Sequence, residues 1–461
     1  MADGPLWHLN EARLAMAAST PGADADTPID GVSIDTRTLA AGDLFFALRG
    51  DPGPRFNTSA PGTRDGHDFV AAAFEAGAAA AVVHTQVDAG GPHLRVTDTL
   101  DALWDLARAS VARHQGQRFA ITGSSGKTTA KAFLSRALAA VLEPGSLNNF
   151  WGVPLCLART RREASHAVFE VGTNGPGEIG PLSTLVSPQV AVLLNVHPAH
   201  IGNFADLDAL TSEKLAIAAG LGAGGRFVCP VALAQAAPGL APITFGPQRD
   251  ATVRTLDVDG DRGRYDCNGV AISARVPGGG AHRAETLGAV MAALIGAGLD
   301  PRLATDLDAE LVPTGRGNAM SVTDTTGRRY VVIDDSYNAN PASMAAALRG
   351  FAVRPGPRVA ILGEMLELGD DAERYHRALA KDCDGLDALW CVGDGARALF
   401  DALPASLRQR DARWVATVDE LDLNALARSL PVGASVLVKG SNRVFWQHGF
   451  CDRLVRAIGA V

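Results

Sequence analysis

Residues Arg118–Lys131 read RFAITGSSGKTTAK, and this stretch decides the fold. Phe119–Thr122 is a short apolar run of the kind that forms a buried strand. Gly123, Ser124, Ser125 and Gly126 follow, and Lys127, Thr128 and Thr129 then open the helical pattern TTAKAFLSRALAAVL. Strand, glycine loop and helix in that order make a phosphate-binding turn. Glycines let backbone N–H groups close on a polyanion, and the helix N-terminus adds the positive end of its dipole. On this reading Lys127 meets the β- and γ-phosphates and the Thr128 hydroxyl ligates Mg²⁺. The spacing departs from G-x-x-x-x-G-K-[ST], which wants glycine where this chain has Ile121. An ordinary strand–turn–helix junction is the bland alternative. Glycines, lysine and hydroxyls arriving together in the right order favour a nucleotide site.

The chain's 461 residues suffice for three domains of ordinary size, and its 47% hydrophobic content supplies their cores. A net charge of −8 with no basic run argues against nucleic acid as a partner. The six cysteines are scattered with no C-x-x-C pair, as expected of reduced thiols rather than a disulfide frame or zinc site. The opening MADGPLWHLNEARLAMAAST lacks a cationic start with an apolar stretch behind it, and no apolar run approaches the ~20 residues of a membrane span. The expectation is a soluble, cytoplasmic, multidomain protein without membrane insertion, and a monomer. There are only five lysines, at 127, 131, 214, 381 and 439, so each invites a question.

Along the chain, residues to about 115 alternate short strands (GVSIDTR, GDLFFALRG) with alanine-rich helices, around a Pro/Gly-rich loop at 51–64. Residues 116–313 repeat strand–helix units (HAVFEVG, VAVLLNV, RFVCPV), then read as short antiparallel strands over 251–280 and the helix AETLGAVMAALIGAGL. The last segment alternates again: RYVVIDDS, PASMAAALRGF, RVAILG, ALWCVGD, ASVLVKG. The alternation predicts three α/β domains in series with mostly parallel, doubly wound sheets.

Polar residues gather at strand ends, where open α/β sheets bind ligands. Glu170 closes HAVFE; Asn195, His197 and His200 follow VAVLL; Asp334, Asp335, Tyr337, Asn338 and Asn340 follow RYVVI. Each has a plainer reading as a solvated strand end, a loop histidine or an Asp/Asn helix cap. Lys214, in DALTSEKLAI, reads by itself as a lysine on a solvated helix face.

TGSSGKTT, IDDSYNANPASM, ILGEMLELGD and LNNFWGVPLCL together resemble the Mur ligases, the ATP-dependent amide-forming enzymes of peptidoglycan precursor synthesis, and in particular their D-Ala-D-Ala-adding branch. The resemblance covers nearly the whole chain. It implies a three-domain architecture: 1–115 binding the UDP substrate, 116–313 a central P-loop ATPase domain with a parallel sheet, and 314–461 a Rossmann-like domain closing on ATP and the acceptor amine. It implies ATP contacts from Gly123, Ser124, Ser125, Gly126, Lys127, Thr128, Thr129, His282, Arg316, Asp335, Tyr337 and Asn338. The UDP substrate would be met by Ser33, Thr36 and Arg37 of VSIDTR, Asp65, Gly66 and His67 of DGHDF, Asn148, Asn149, Thr173 and Asn174. Lys127, Glu170, His200 and Lys214 would be catalytic, and Thr128, Glu170, His200 and Lys214 would organise two Mg²⁺ ions. Lys214, fourteen residues after His200, falls where the family places a lysine carbamylated by CO₂. Lys439 matches the start of a motif near the acceptor side. The implied substrates are UDP-MurNAc-tripeptide and D-Ala-D-Ala.

The fit has departures. Arg283 and Thr286 replace two customary asparagines, Asn442 stands where arginine is usual with Arg443 next, Gly175 replaces a common histidine, and the 51–64 loop is long. Two other readings therefore stay open: a Mur-like carboxylate–amine ligase of another pathway, and a non-catalytic nucleotide-binding scaffold.

Overall fold

The computed structural model describes residues 4–19, 26–53, 56, 62–143 and 145–461. They form three α/β domains, each around its own main sheet. In the first, strands Gly31–Ser33, Asp43–Phe46, Ala80–Val83 and His93–Arg95 pair in that order, all parallel. The two inner strands are buried along their whole length, the pattern of a parallel sheet covered on both faces. An antiparallel ribbon, Trp7–His8 with Pro28–Ile29, lies beside it. Helix Thr99–Arg113, capped by the Asp98 carboxylate, leads into the strand of the phosphate loop.

The central sheet has eight strands. From one edge they run Val270–Arg275, Arg262–Cys267, Val253–Asp259, Ile243–Gly246, Arg226–Pro230, Val190–Leu193, Gln117–Thr122 and His166–Glu170. The first two pairings are the antiparallel hairpins read at 251–280, and the remainder are parallel. Helix Ala281–Gly296 seals one face through Ala284, Leu287, Val290, Met291 and Leu294. Because Gln117–Thr122 lies parallel between its two neighbours, the phosphate loop, Glu170 and Asn195 all emerge at one end of the sheet.

The last sheet runs Asn318–Thr323, Arg329–Asp335, Ser435–Lys439, Arg358–Gly363, Ala388–Val392 and Ala412–Val415. It is parallel except for its first pair. The sequence reading passes over the edge strand Asn318–Thr323, whose only large apolar residues are Met320 and Val322. The strand order reverses around Ser435–Lys439, and a cavity of about 260 Å³ opens at that crevice, lined among others by His200, Tyr337, Asn338, Glu367 and Arg443. Among the described residues no helix is long and apolar enough to cross a membrane.

Candidate active site

The phosphate loop is pinned by the neighbouring strand end. Ser124 N–H donates to the Asn195 carbonyl (3.1 Å), and its hydroxyl donates to the His197 carbonyl (2.8 Å). Ser125 N–H donates to Asn195 Oδ1 at 3.0 Å. Gly126 caps the following helix, Lys127–Ala137, at φ 80°, a left-handed conformation that favours glycine. A Cβ there would also stand 3.4 Å from the Thr286 hydroxyl, so helix Ala281–Gly296 reaches the loop through Thr286. Lys127 Nζ donates to the Gly123 carbonyl at 2.8 Å, arching over its own turn. Burial holds its ammonium below the ordinary lysine range, opposed by the Glu170 carboxylate. Lys131, one turn on, donates instead to the carbonyls of Glu143 and Gly145, fastening the next loop.

That loop completes a polar chain. Thr128 Oγ1 donates to Glu170 Oε2 at 2.7 Å, and Asn148 Nδ2 donates to Oε1 at 2.7 Å. Ser146 Oγ lies 2.9 Å from Thr128 Oγ1 and accepts from Arg316 Nη2 at 2.8 Å. The Arg316 guanidinium also lies over the Tyr337 ring, 4.3 Å from its centre. Glu170 and Thr128, expected together at the metal site, are thus joined to Asn148 and Arg316, and Ser146 is a member the sequence reading missed. Thr129, buried, continues the helix.

Lys214 lies near the end of helix Leu207–Leu215, whose N-terminus is capped by Asp206. It is buried, and among the described residues its ammonium has no hydrogen-bond or ion-pair partner. Burial lowers its pKa to about 7, repulsion from Lys127 pushes the same way, and Glu213 opposes both. The solvated helix face is therefore wrong for Lys214. Glu213 turns away to accept three backbone N–H groups, those of Gly177, Glu178 and Ile179, at 2.6–3.0 Å. It thereby secures the segment after Asn174, whose own N–H donates to Glu178. Thr173 stays local, its hydroxyl accepting from Gly175 N–H at 3.1 Å.

His200, at φ 57°, points across the domain boundary: its Nδ1 bonds the Glu367 carboxylate. The His200 contact holds Glu367 below the ordinary carboxylate range. Gly202 N–H donates to the Glu367 carbonyl, and Gly202 meets Gly369 closely enough that a Cβ on Gly202 would come 2.7 Å from the Gly369 nitrogen. Glu367 is the second residue the sequence reading missed. Among the described residues no three or more His, Cys, Asp or Glu side chains gather as a metal group, so Glu170 and His200 have different partners here. In the last domain Asp335 pairs with buried Lys439 at 2.8 Å, and Lys439 also donates to the Asn338 carbonyl. Asn340 forms a capping box with Ser343 for helix Pro341–Ala352, so the plainer Asn-cap reading holds for that residue.

Arg283 explains one departure. It donates to the carbonyls of Gly278, Gly279, Arg316 and Gly317 at 2.8–3.1 Å, bracketing the link between central and last domains. An asparagine is too short to span these four oxygens. Arg283→Ala is expected to cost roughly 1–3 kcal/mol in urea unfolding, because a buried guanidinium that joins four carbonyls is lost. Lysine should not restore it, having a point charge rather than a planar fork. His282 is exposed in the first turn of the same helix.

In the first domain, Asp65 Oδ1 accepts from His67 N–H (3.0 Å) and His67 Nδ1 (2.5 Å). His67 Nε2 accepts from the His84 amide, which fixes the ring proton on Nδ1. Gly66 passes so close to the 47–48 backbone that a Cβ would come 2.6 Å from the Leu48 nitrogen. Ser33 is buried, its hydroxyl donating to the Asp35 carbonyl; Asp35 in turn holds the exposed Arg37, with half-buried Thr36 between. Asn149 Oδ1 caps helix Gly152–Ala158 at Gly152 N–H, 2.9 Å. In the long 51–64 loop, Phe56 stacks on Phe150 (4.4 Å), while residues 54, 55 and 57–61 lie outside the described residues.

Family models match in two places, the Mur ligase middle domain over residues 121–293 and the Mur ligase, glutamate ligase domain over 320–442. The chain is 32% identical to the UDP-N-acetylmuramoyl-tripeptide–D-alanyl-D-alanine ligase of Escherichia coli K12, over 90% of this chain and 92% of that protein. It is 30% identical to the ligase of the same name in Bacillus subtilis 168, over 90% and 91%. A crystal structure of MurF from Acinetobacter baumannii superposes with a TM-score of 0.79 at 27% identity, covering 98% of this chain and 99% of that one. With this similarity running through all three domains, the chain belongs to the Mur ligase family.

Proposed function

We propose that this chain is an ATP-dependent, ADP-forming ligase that joins D-Ala-D-Ala to UDP-MurNAc-tripeptide in peptidoglycan precursor synthesis, as the names of its relatives indicate for them. Its units divide at 115/116 and 313/314. It works in the cytoplasm as a monomer. One observation carries the ligase reading over the scaffold reading. Beside the phosphate loop sits a buried lysine with a pKa of about 7 that makes no hydrogen bond or ion pair among the described residues, and a module that only binds nucleotide has no use for it.

The chemistry is carboxylate activation. A terminal carboxylate oxygen of the tripeptide attacks the γ-phosphorus of ATP, the bond to the β-phosphate oxygen breaks, and ADP leaves behind an acyl phosphate. The acceptor nitrogen then attacks the acyl carbon, the carbon–oxygen bond to phosphate breaks, and the nitrogen gives up its extra proton. Lys127 and the first N–H groups of its helix would hold phosphate oxygens, with Arg316 nearby. Thr128 and Glu170 offer a hydroxyl and a carboxylate, the hard oxygen donors Mg²⁺ prefers. Such ions supply charge neutralisation when bound. Neutral Lys214 would add CO₂ to give a carbamate and a proton, and the carbamate oxygens, with His200, would then be available to hold a second ion. The last domain shields the acyl phosphate from water.

The test is ADP release from purified protein with Mg²⁺, omitting each substrate in turn. Release that needs both tripeptide and D-Ala-D-Ala, with a pentapeptide product by mass, is expected. Release supported by other amines but not by D-Ala-D-Ala would move the enzyme to another pathway, and nucleotide binding without any turnover would support the scaffold.

A further inference from the structure

Ser146 stands where the interdomain link meets the phosphate loop, and proton counting fixes its role. Arg316 is donor-only, so Ser146 Oγ must accept from Nη2. Thr128 has one hydroxyl proton, and it goes to Glu170 Oε2, which as a carboxylate oxygen accepts. The 2.9 Å contact between the two hydroxyls therefore runs from Ser146 to Thr128. The result is a one-way relay, Arg316 to Ser146 to Thr128 to Glu170, with Asn148 closing the far end. In such a chain each bond polarises the next.

The relay's first two members belong to different domains. Ser146 sits on the loop that Lys131 fastens to the phosphate-loop helix. Arg316 lies on the link, with its carbonyl held by Arg283 and its guanidinium over Tyr337 of the last domain. We propose that Ser146 is a positioning residue that couples closure of the last domain to the alignment of Thr128 and Glu170 at the phosphate site. When the link swings away, Ser146 loses its donor, its hydroxyl is free to rotate, and Thr128 loses a fixed proton donor. The nucleotide site is then fully aligned only when the domain that brings the acceptor has closed.

The rate prediction rests on the ligase reading, but the binding prediction does not. Ser146→Thr and Ser146→Val have nearly the same shape and differ in the hydroxyl, so the pair isolates the hydrogen bond from packing, and Ser146→Ala removes it with least disturbance. Melting temperatures check that each variant folds. Valine and alanine are expected to lower kcat/KM for ATP by on the order of tenfold to a hundredfold, while threonine restores it. The affinity for a non-hydrolysable ATP analogue with Mg²⁺, measured by calorimetry on the wild type, Ser146→Ala, Arg316→Ala and the double variant, should show strong non-additivity, Ser146→Ala costing little once Arg316 is gone. Independent, multiplying effects of the two substitutions, or a valine variant equal to threonine, would overturn the proposal. A wild type without substrate-dependent turnover would refute the ligase reading alone, and the calorimetric cycle would still decide the coupling.

Discussion

Lys214→Ala is expected to lower ligase turnover by on the order of 10²–10³-fold, the scale on which losing one charge-stabilising group at a metal-assisted site is felt. Short carboxylic acids added to the assay should return part of it, by placing oxygens where the carbamate stood. Full activity in the variant would remove the carbamate from the mechanism. The same residue sets a pH dependence. Its neutral form dominates above its pKa of about 7, so turnover should rise with pH through that value. Stability should respond over a different window. Between about 7 and the ordinary 10.5 the unfolded lysine holds a proton that the folded one has lost, so unfolding free energy rises with pH there. Below 7 both states are protonated and the cost of the buried ammonium is felt in full. Lys214→Met, which fills the space without the charge, should flatten that slope and raise the melting temperature by a few degrees in carbonate-free buffer near neutrality. A variant that melts lower with the slope intact would place Lys214 in solvent.

Lys127→Met should be comparably damaging, lowering kcat/KM for ATP by on the order of 10²–10³-fold through loss of the phosphate charge. It should also leave a mark on its neighbour. Repulsion from Lys127 is the second cause, after burial, of the lowered Lys214 pKa. Without it Lys214 titrates at higher pH, so carbamate should form later on an alkaline titration. Carbon-13 bicarbonate and NMR of the carbamate signal would follow this even in a variant with no measurable turnover. An unmoved titration would mean that the two lysines do not sense each other.

What the sequence discloses is what is local. The strand, loop and helix of residues 118–131 are consecutive, and so are the apolar runs that deliver Glu170, Asn195 and Asp335 to sheet ends, so pattern and spacing suffice for them. The relay through Ser146 depends on Arg316, 170 positions away, and the His200–Glu367 contact spans 167. No periodicity signals such partners. Lys214 shows the limit most plainly: its helix has the composition of a surface helix, and only tertiary packing buries it. Arg283 was visible only as a misfit, and its four carbonyl partners belong to turns that sequence alone does not bring together. A usable hint was present in the scarcity of lysine, since a chain that gives most surface roles to arginine keeps lysine where a compact or neutralisable amine is needed.

That scarcity has a practical side. Lys131, Lys214 and Lys439 are buried and Lys127 is half-buried with its amine on a carbonyl, which leaves Lys381 as the exposed lysine. An amine-reactive dye should therefore mark the folded protein at a single side chain. Each additional dye taken up under a given condition would count an amine laid bare, with Lys439 reporting the last domain and Lys214 the central one.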